Sequence, residues 1–479
     1  MTGTETILRR TKIVATLGPA TDDPAELRRV IDSGMDVARI NFSHGDTTDH
    51  VRRIQSVRET AVAADRFVGV MADLQGPKIR IRGFREGAVV LTEGAAFTLD
   101  AELAPDAGTE EYVGVTHDGL SREVCAGDTL LLDDGNIVLA VEEISAARVR
   151  CRVVIGGRLS NSKGLNRLGG GLSAAALTAK DRSDIQVAAE LEADYIAVSF
   201  IRHADDVFEA RELFKQAGGS GAVVAKIERA EAIENVHQII DAADVVMIAR
   251  GDLGVEIGDA ELPGMQKRII RETRERNRIT ITATQMMQSM VESPQPTRAE
   301  VLDVANAVLD GTDAVMLSAE TAVGKHPSKV VHAMDRICRG AERQQSTMVS
   351  SHRLEALFGN TEEAIAMAAM YTANHMNVAA IVAMTESGAT VRWMSRISSG
   401  IPIFALTRHA ATGRRVTLYR GVYPIQLEQQ NFDAVEADDA ALAKLRERGL
   451  IHRDDSVIVT RGDVSGVSGG TNSMKILKV

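Results

Sequence analysis

Eight short apolar segments constrain the fold of this 479-residue chain more than any other feature. Each ends on a residue that can contact a phosphate, a carboxylate or a metal, and nearly every gap between them is about one helix long or shorter. The segments are Lys12–Thr16, Val37–Ser43, Phe67–Asp73, Tyr195–Ser199, Ala222–Glu228, Val245–Asp252, Ile279–Thr284 and Ala314–Glu320. This alternation predicts an α/β fold, a (β/α)8 barrel of parallel strands with its chemistry at the strand ends.

Composition excludes several classes of function. Acidic residues number 66 against 55 basic residues, a net charge of −11, and aromatic residues make up 3%. A nucleic-acid-binding protein needs a basic surface and often stacking aromatics, so we expect no nucleic-acid partner. The three cysteines lack disulfide or zinc spacing, which fits a reducing compartment. Without an apolar leader or a run of about 18 apolar residues, we expect a cytoplasmic protein with no membrane span.

The barrel pattern is interrupted once and is followed by a further unit. Residues 75–171 read as short strands and turns, which predicts a small all-β barrel domain inserted between strands 3 and 4. Gly169–Gly171 marks the return to the barrel and reads as a hinge; the alternative, a phosphate cradle, lacks the preceding strand and the following lysine. After a polar linker at Gln344–His352, strands and helices predict a C-terminal α/β regulatory domain. The predicted division is 1–74 and 172–345 for the barrel, 75–171 for the insert and 346–479 for the C-terminal domain.

The end of predicted strand 5 carries an unusual pair of charges. Residues i and i+2 of a strand share a face, so Lys226 and Glu228 both point into the barrel mouth. The next strand ends in ARGDLG, which brings a third charge, Asp252. Two carboxylates form a hard oxygen site suited to magnesium or manganese. The alternative is a structural Lys–Glu–Asp ion network without a ligand, which the residues alone leave open.

Three other strand ends carry polar groups. Arg39, Asn41 and Ser43 alternate along predicted strand 2, and a guanidinium there can hold a phosphate through two hydrogen bonds. Thr284 ends strand 7, while Ser318 and Glu320 end strand 8. Hydroxyl groups in such positions can orient a carboxylate or relay a proton through water, or they can simply be satisfied core hydroxyls.

Several long motifs together resemble pyruvate kinase along essentially the whole chain. They are TKIVATLGP at Thr11–Pro19, GMDVARINFSHG at Gly34–Gly45, Lys226–Glu228, ARGDLG at Ala249–Gly254, ITATQM at Ile281–Met286, PTRAE at Pro296–Glu300, DVANAVLDG at Asp303–Gly311 and MLSAET at Met316–Thr321. The resemblance implies phosphoryl transfer from phosphoenolpyruvate to ADP, giving pyruvate and ATP in glycolysis.

The resemblance also implies roles for the residues of the mouth. Lys226 would neutralise the phosphoryl group in transfer, and Arg39 would hold the phosphate. Glu228 and Asp252 would bind Mg²⁺ or Mn²⁺. The N–H groups of Gly251 and Asp252 and the Thr284 hydroxyl would bind the substrate carboxylate. Thr284 and Ser318 resemble a proton path to the enolate.

The nucleotide site follows from the same resemblance. Five residues resemble contacts to ADP or ATP, and Arg80 among them would also assist catalysis: Thr16, Pro19, His44, Arg80 and Lys163. Closure of the inserted domain over the mouth would exclude water, which would otherwise hydrolyse the phosphoryl group.

One departure from the family bears on potassium. Many members carry TKGPE after the strand 3 aspartate and need K⁺, whereas this chain has LQGPK at Leu74–Lys78. The Lys78 ammonium group could take the charge role of K⁺, so we expect potassium not to be required. Four residues that would bind a monovalent ion, if one binds at all, remain: Asn41, Ser43, Asp73 and Leu74.

The C-terminal domain resembles the regulatory domain of the family. Its segment Thr385, Glu386, Ser387, Gly388, Ala389 and Thr390 joins a strand to a helix and is either an effector-phosphate site or an ordinary capped helix start. Family likeness favours the effector. Glu386 stands where some members carry lysine, and Gly254–Glu261 and Lys475–Val479 resemble the bacterial subgroup activated by AMP or sugar monophosphates, so we expect a monophosphate. The resemblance also suggests a homotetramer.

Two other classes of protein compete with this interpretation. A barrel lyase or aldolase acting on a pyruvate-like enolate could use the same cation site, but it has no need for a nucleotide-closing domain such as 75–171. A non-catalytic protein that kept the fold should have lost Lys226, Arg39 or Thr284, and all three are present.

Overall fold

The structure is a computed structural model that describes residues 8–173, 176–344, 347–348, 357–427, 434–463 and 469–479. The predicted linker Gln344–His352 lies largely outside the described residues. In chain order the strands are β1 (Lys12–Leu17), β2 (Val37–Asn41), β3 (Gly69–Asp73), β4 (Ala88–Leu91), β5 (Ala96–Asp100), β6 (Tyr112–Gly114), β7 (Thr129–Leu132), β8 (Ile137–Ser145), β9 (Arg148–Ile155), β10 (Gly157–Ser160), β11 (Leu165–Arg167), β12 (Tyr195–Val198), β13 (Ala222–Ile227), β14 (Val245–Ala249), β15 (Ile279–Ala283), β16 (Ala314–Leu317), β17 (Ala380–Met384), β18 (Ile403–Thr407), β19 (Val422–Gln426), β20 (Ser456–Gly462) and β21 (Thr471–Lys478).

Helices follow most barrel strands and flank the C-terminal sheet. In chain order they are α1 (Pro24–Asp32), α2 (Thr47–Ala63), α3 (Leu120–Glu123), α4 (Ala179–Glu190), α5 (Ala204–Gln216), α6 (Ala230–Glu234), α7 (Val236–Ala242), α8 (Arg250–Ile257), α9 (Leu262–Glu275), α10 (Arg298–Asp310), α11 (Ala319–Ala322), α12 (Pro327–Glu342), α13 (Thr361–His375), α14 (Ala389–Ser395), α15 (Ala410–Val416) and α16 (Ala434–Glu447).

The predicted barrel is confirmed. Within the described part of the chain, eight strands close in the order β1-β16-β15-β14-β13-β12-β3-β2, and every pair is parallel. Because all eight strands run the same way, their carboxyl ends meet at one mouth. A large apolar core fills the space between the strands and the helices around them.

Two strand ends were predicted wrongly. The prediction ran strand 6 to Asp252 and strand 8 to Glu320, whereas β14 ends at Ala249 and β16 at Leu317. The polar residues instead open α8 and α11. A short run that mixes apolar residues with Gly, Ala and acidic residues does not distinguish the last turn of a strand from the first turn of a helix. Asp252 therefore lies on a helix start.

Helix starts in the barrel are set by local side-chain caps. At the start of α4 the hydroxyl of Thr178 accepts the N–H of Asp181 at 3.1 Å, and the Asp181 carboxylate accepts the N–H of Thr178 at 2.8 Å. Thr297 and Glu300 form the same reciprocal box at the start of α10. Such boxes satisfy N–H groups that have no partner inside the helix, so these starts are encoded locally.

The segment between β3 and α4 is confirmed as an all-β unit with one short helix, α3. Its strands form a six-stranded sheet, β11-β7-β8-β9-β5-β6, and a two-stranded sheet of β10 and β4. They enclose an apolar core of their own. The exact division of the chain at residues 74, 171 and 345 stays a prediction.

The C-terminal sheet has the order β19-β18-β17-β20-β21, with β21 antiparallel at one edge. It packs against the amino-terminal end of the barrel, since one apolar cluster contains barrel residues such as Tyr195 together with C-terminal residues such as Val416. The Tyr195 hydroxyl donates to the carbonyl of Arg415 across this junction. The C-terminal unit therefore covers the end of the barrel opposite the mouth.

Candidate active site

The Lys226 ammonium group lies at the centre of the barrel mouth. Its Nζ contacts the Ser199 hydroxyl at 2.7 Å, Glu228 Oε1 at 2.9 Å and Asp73 Oδ1 at 3.2 Å. Lys226 is near the end of β13 and Glu228 directly follows the strand. Their side chains lie on the same side, as the spacing of two residues predicted. All three charged side chains are at most 10% exposed.

Opposite charges keep the buried Lys226 and Asp73 side chains ionised. Burial alone would lower the pKa of Lys226, but the carboxylates of Asp73 and Glu228 raise it above its ordinary value. Burial opposes ionisation of Asp73 too, yet Arg39 and Lys226 hold the pKa of that carboxyl below its usual range. Lys226 is therefore a cation at neutral pH, fixed by three partners and ready to attract an anion.

Arg39 joins the cluster from β2. Its Nε donates to Asp73 Oδ2 at 2.5 Å and its Nη1 donates to the Thr16 hydroxyl at 2.9 Å. Thr16 in turn donates to the carbonyl of Leu317 at 2.8 Å. The guanidinium thus lies beside Lys226, with Asp73 between them, and two cations share one wall of the mouth.

Asp252 pairs with the lysine that we expected to replace potassium. Lys78 Nζ contacts Asp252 Oδ1 at 2.8 Å and Asp134 Oδ1 at 3.6 Å. Burial lowers the pKa of Lys78, but Asp252 more than compensates, so the pKa is raised. Lys78 therefore brings its charge to the aspartate of α8 and links it to the insert, which carries Asp134.

The pair Glu228 and Asp252 fits a divalent cation. Burial raises the pKa of the Glu228 carboxyl; Lys226 opposes this rise, and the nearby charge of Asp252 adds to it. Two carboxylates that repel each other can share a hard cation. In the described part of the chain no three His, Cys, Asp or Glu side chains are grouped to hold a metal by themselves. Mg²⁺ is commonly bound through one or two carboxylates, with waters and substrate oxygens as its other ligands.

The β15–α8 edge of the mouth holds a strained threonine. Thr284 has a φ of +68° and Gln285 a φ of +52°. A β-branched residue in the left-handed region is a conformational outlier, and such strain is typical of functional sites. The Thr284 hydroxyl accepts the N–H of Gly251 at 2.7 Å. The predicted neighbours Gly251 and Thr284 are therefore in direct contact.

The remaining predicted residues of the barrel lie at or just after the ends of β1, β2 and β16. Ser318 is half-buried after β16, and its N–H donates to Glu320 Oε2 at 2.6 Å; Glu320 is fully buried and also accepts the N–H of Met287, so it fixes backbone instead of facing the mouth. Pro19 begins a short 3-10 turn and His44 is exposed. The Asn41 Oδ1 accepts the N–H of Ser43 at 3.1 Å.

Arg80 and Lys163, the two predicted nucleotide contacts in the insert, pair with other residues of the insert. Arg80 donates to the carbonyl of Ser162 at 2.9 Å, and Lys163 pairs with Asp133 at 2.6 Å. The adjacent segments are paired through a bridge between Arg80 and Gly164. Both side chains therefore belong to one edge of the insert.

Most polar side chains of the C-terminal segment 385–390 already have partners within the C-terminal domain. The Thr385 hydroxyl accepts the N–H of Gly388 at 2.9 Å, and the buried Thr390 hydroxyl contacts Glu362 and Thr471. Glu386 pairs with Arg408 at 3.1 Å and with His409 at 2.6 Å. Ser387 is half-buried, and Ala389 begins α14, which has seven residues.

Sequence reasoning missed two supporting residues. Ser199 ended a predicted strand but received no role, although its hydroxyl contacts Lys226 and donates to the carbonyl of Leu74 at 2.8 Å. Arg250 reaches Asp303 at 2.7 Å and the carbonyl of Thr284 at 2.7 Å, which supports the strained turn. The ARGDLG motif was the available signal for Arg250; for Ser199 it was only its position at a strand end.

Comparison with known proteins covers both ends of the chain. The family described as "Pyruvate kinase, barrel domain" matches residues 8–331, and "Pyruvate kinase, alpha/beta domain" matches residues 363–477. The chain is 55% identical to "Pyruvate kinase II" of Salmonella typhimurium, over 98% of this chain and 99% of the relative. It is 53% identical to "Pyruvate kinase" of Haemophilus influenzae (95% and 96% covered) and 40% identical to that of Geobacillus stearothermophilus (98% and 80% covered).

Proposed function

The chain belongs to the pyruvate kinase family and is a phosphotransferase, and from this premise we propose how its barrel mouth transfers a phosphoryl group from phosphoenolpyruvate to ADP. The observation that carries the proposal is the convergence of Lys226, Arg39, Glu228 and Asp252 at the carboxyl ends of the strands. In the reaction the bond between the enol oxygen and phosphorus breaks. A new bond forms to an oxygen of the terminal ADP phosphate, and the enolate then takes a proton to become pyruvate.

Lys226 and Arg39 act on the phosphoryl group. Phosphoryl transfer needs positioning and positive charge more than covalent chemistry, and both cations are already oriented by Asp73. Lys226 keeps its proton because of its two carboxylate partners, so it stabilises charge without acting as a base. Arg39, whose Nη1 donates to the Thr16 hydroxyl, holds the phosphate before transfer.

Glu228 and Asp252 would hold Mg²⁺ or Mn²⁺, which would supply positive charge to stabilise the negative charge that develops during transfer. Each of these carboxylates already has one cationic partner, Lys226 for Glu228 and Lys78 for Asp252. The N–H groups at the start of α8, at Gly251 and Asp252, bind the substrate carboxylate together with the Thr284 hydroxyl. Thr284 and Ser318 pass the proton to the enolate, and Arg80, Lys163, Thr16, Pro19 and His44 contact the nucleotide.

We propose further that the enzyme is cytoplasmic, forms a homotetramer and closes the insert over the mouth during turnover. In the described residues, no helix combines the length and the apolarity that crossing a membrane requires. The three positive-φ glycines Gly169, Gly170 and Gly171 support a hinge at the return of the insert, because only glycine adopts such a run freely.

We expect activity without potassium. Lys78 brings a permanent positive charge to the mouth, and Asp73 already has two cationic partners. A coupled pyruvate-formation assay in tetramethylammonium buffer should retain at least about half of the rate measured in K⁺, because the charge that K⁺ supplies is already present. Near-total loss of activity without K⁺ would reject the idea. Lys78→Glu, which restores the residue of potassium-requiring members, is the matched comparison and should gain a K⁺ requirement.

We expect allosteric activation by a sugar monophosphate or AMP at residues 385–390. The guanidinium of Arg408 lies beside the segment and can bind one phosphate, while the Glu386 carboxylate 3.1 Å from it would repel a second. In assays at subsaturating phosphoenolpyruvate, glucose 6-phosphate, ribose 5-phosphate or AMP should raise the rate severalfold. A response to low fructose 1,6-bisphosphate alone, with none to these monophosphates, would contradict the assignment. Arg408→Ala should weaken the response and leave the basal rate unchanged.

A further inference from the structure

Glu256 is a buried carboxylate that the mechanism above does not use. It lies on α8, one helical turn beyond Asp252, and is 4% exposed. Residues four apart on a helix share a face, so Glu256 lies beneath the aspartate that we assign to the divalent cation. A buried carboxylate is costly unless it has partners, so its contacts are informative.

The partners of Glu256 come from two separate segments, the chain after β13 and the chain at and just after β11. Oε2 accepts the N–H of Ala230 at 2.9 Å, two residues after Glu228. Oε1 accepts the side-chain amide of Asn166, a buried residue of β11 in the insert, at 3.3 Å. The backbone carbonyl of Glu256 accepts the N–H of Gly169, the first glycine of the predicted hinge, at 2.8 Å.

A second set of contacts completes the junction. The Nε of Arg229 lies 3.9 Å from Glu256 Oε1, beyond hydrogen-bond reach. The Nη2 of Arg229 donates to the carbonyl of Leu172. Glu231 accepts the N–H of Gly171 at 2.7 Å. The segment that returns from the insert is therefore attached to both α6 and α8 of the barrel.

We propose that Glu256 is a positioning residue that fixes the segments of Glu228 and Asp252 relative to each other and ties that spacing to the inserted domain. It does so with one carboxylate that is shared by the chain after β13, by α8 and by β11. The inference rests on the proposed cation site. Residues that orient metal ligands typically change metal affinity or activity by about 10- to 100-fold when they are replaced.

The test uses the full-length protein and Mn²⁺ alone as the probe, with free Mn²⁺ measured by electron paramagnetic resonance. Glu256→Gln keeps the size but cannot accept hydrogen bonds at both terminal atoms. We expect about 10-fold weaker Mn²⁺ binding, and a kcat that falls more than the KM for phosphoenolpyruvate rises, in a protein that circular dichroism shows to be folded. Asp259→Asn, an exposed acid just after α8, should match the wild type.

Wild-type Mn²⁺ affinity and wild-type kcat in Glu256→Gln would overturn the proposal. If Glu256→Gln does not fold, Glu256→Asp, which keeps the charge and loses the reach of one methylene, is decided by the same two outcomes. Asn166→Ala tests the insert's contact: kcat should fall severalfold with Mn²⁺ affinity unchanged, and a wild-type kcat would remove the insert from the proposal. Glu228→Gln and Asp252→Asn separate the failure of the Glu256 proposal from the failure of the cation site. Wild-type Mn²⁺ affinity in both variants would reject the cation site itself.

Discussion

Lys226→Met should lower kcat by at least about 10³-fold and leave the protein folded. A single preorganised charge aimed at a developing anion contributes about that much in water-excluded sites. The fold should survive because the two carboxylates keep other donors: Asp73 keeps Arg39 and Glu228 keeps the N–H of Phe200 at 2.8 Å. The measurements are a coupled assay for pyruvate and circular dichroism of the same preparation.

The control for this variant is Lys267→Met, which removes an exposed lysine that pairs with Asp310 on the barrel surface. It should turn over like the wild type, since exposed ion pairs contribute little. If Lys226→Met keeps wild-type turnover, the role assigned to Lys226 is wrong. A loss of activity accompanied by loss of the folded spectrum would instead assign Lys226 a structural role.

Arg396→Met should be the most destabilising of the variants considered. Arg396, just after α14, forms a two-pronged ion pair with Asp313, just before β16, and the side chains are 1% and 2% exposed. Asp313 Oδ2 also accepts the N–H of Thr280 in β15 at 2.9 Å. Leaving a buried carboxylate without its cation costs about 3–5 kcal/mol. We expect a loss of that size in the free energy of unfolding, measured by urea denaturation.

Two comparisons make this result interpretable. Arg448→Ala breaks another ion pair between the C-terminal unit and the barrel, with Asp65 at 2.8 Å, but on the exposed surface; it should cost less than about 1 kcal/mol. Adding Asp313→Leu to Arg396→Met should recover part of the stability, because the unpaired charge is removed. Equal stabilities of Arg396→Met and Arg448→Ala would show that burial of the pair is not decisive.

Local sequence patterns predicted the strands, the helices and the candidate site residues. They did not predict the contacts that support those residues. The spacing of Lys226 and Glu228 predicted a shared face because side-chain alternation along a strand is a property of two residues alone. The capping of α4 by Thr178 and Asp181 is local in the same way, because it involves two residues three positions apart. The boundary at Asp252 was wrong because a strand end and a helix start have the same residue types there.

The sequence by itself determined the order of strands and helices, the closed parallel barrel and the positions of the polar strand ends, because periodicity and capping act over a few residues. Only the tertiary structure decided that Lys78 contacts Asp252, that Ser199 supports Lys226 and that Arg396 pairs with Asp313, since these partners are 174, 27 and 83 positions apart. Such pairings depend on how the barrel closes and how the other units pack against it. Hydrophobic patterning, which is non-directional, fixes that packing without recording which polar groups meet.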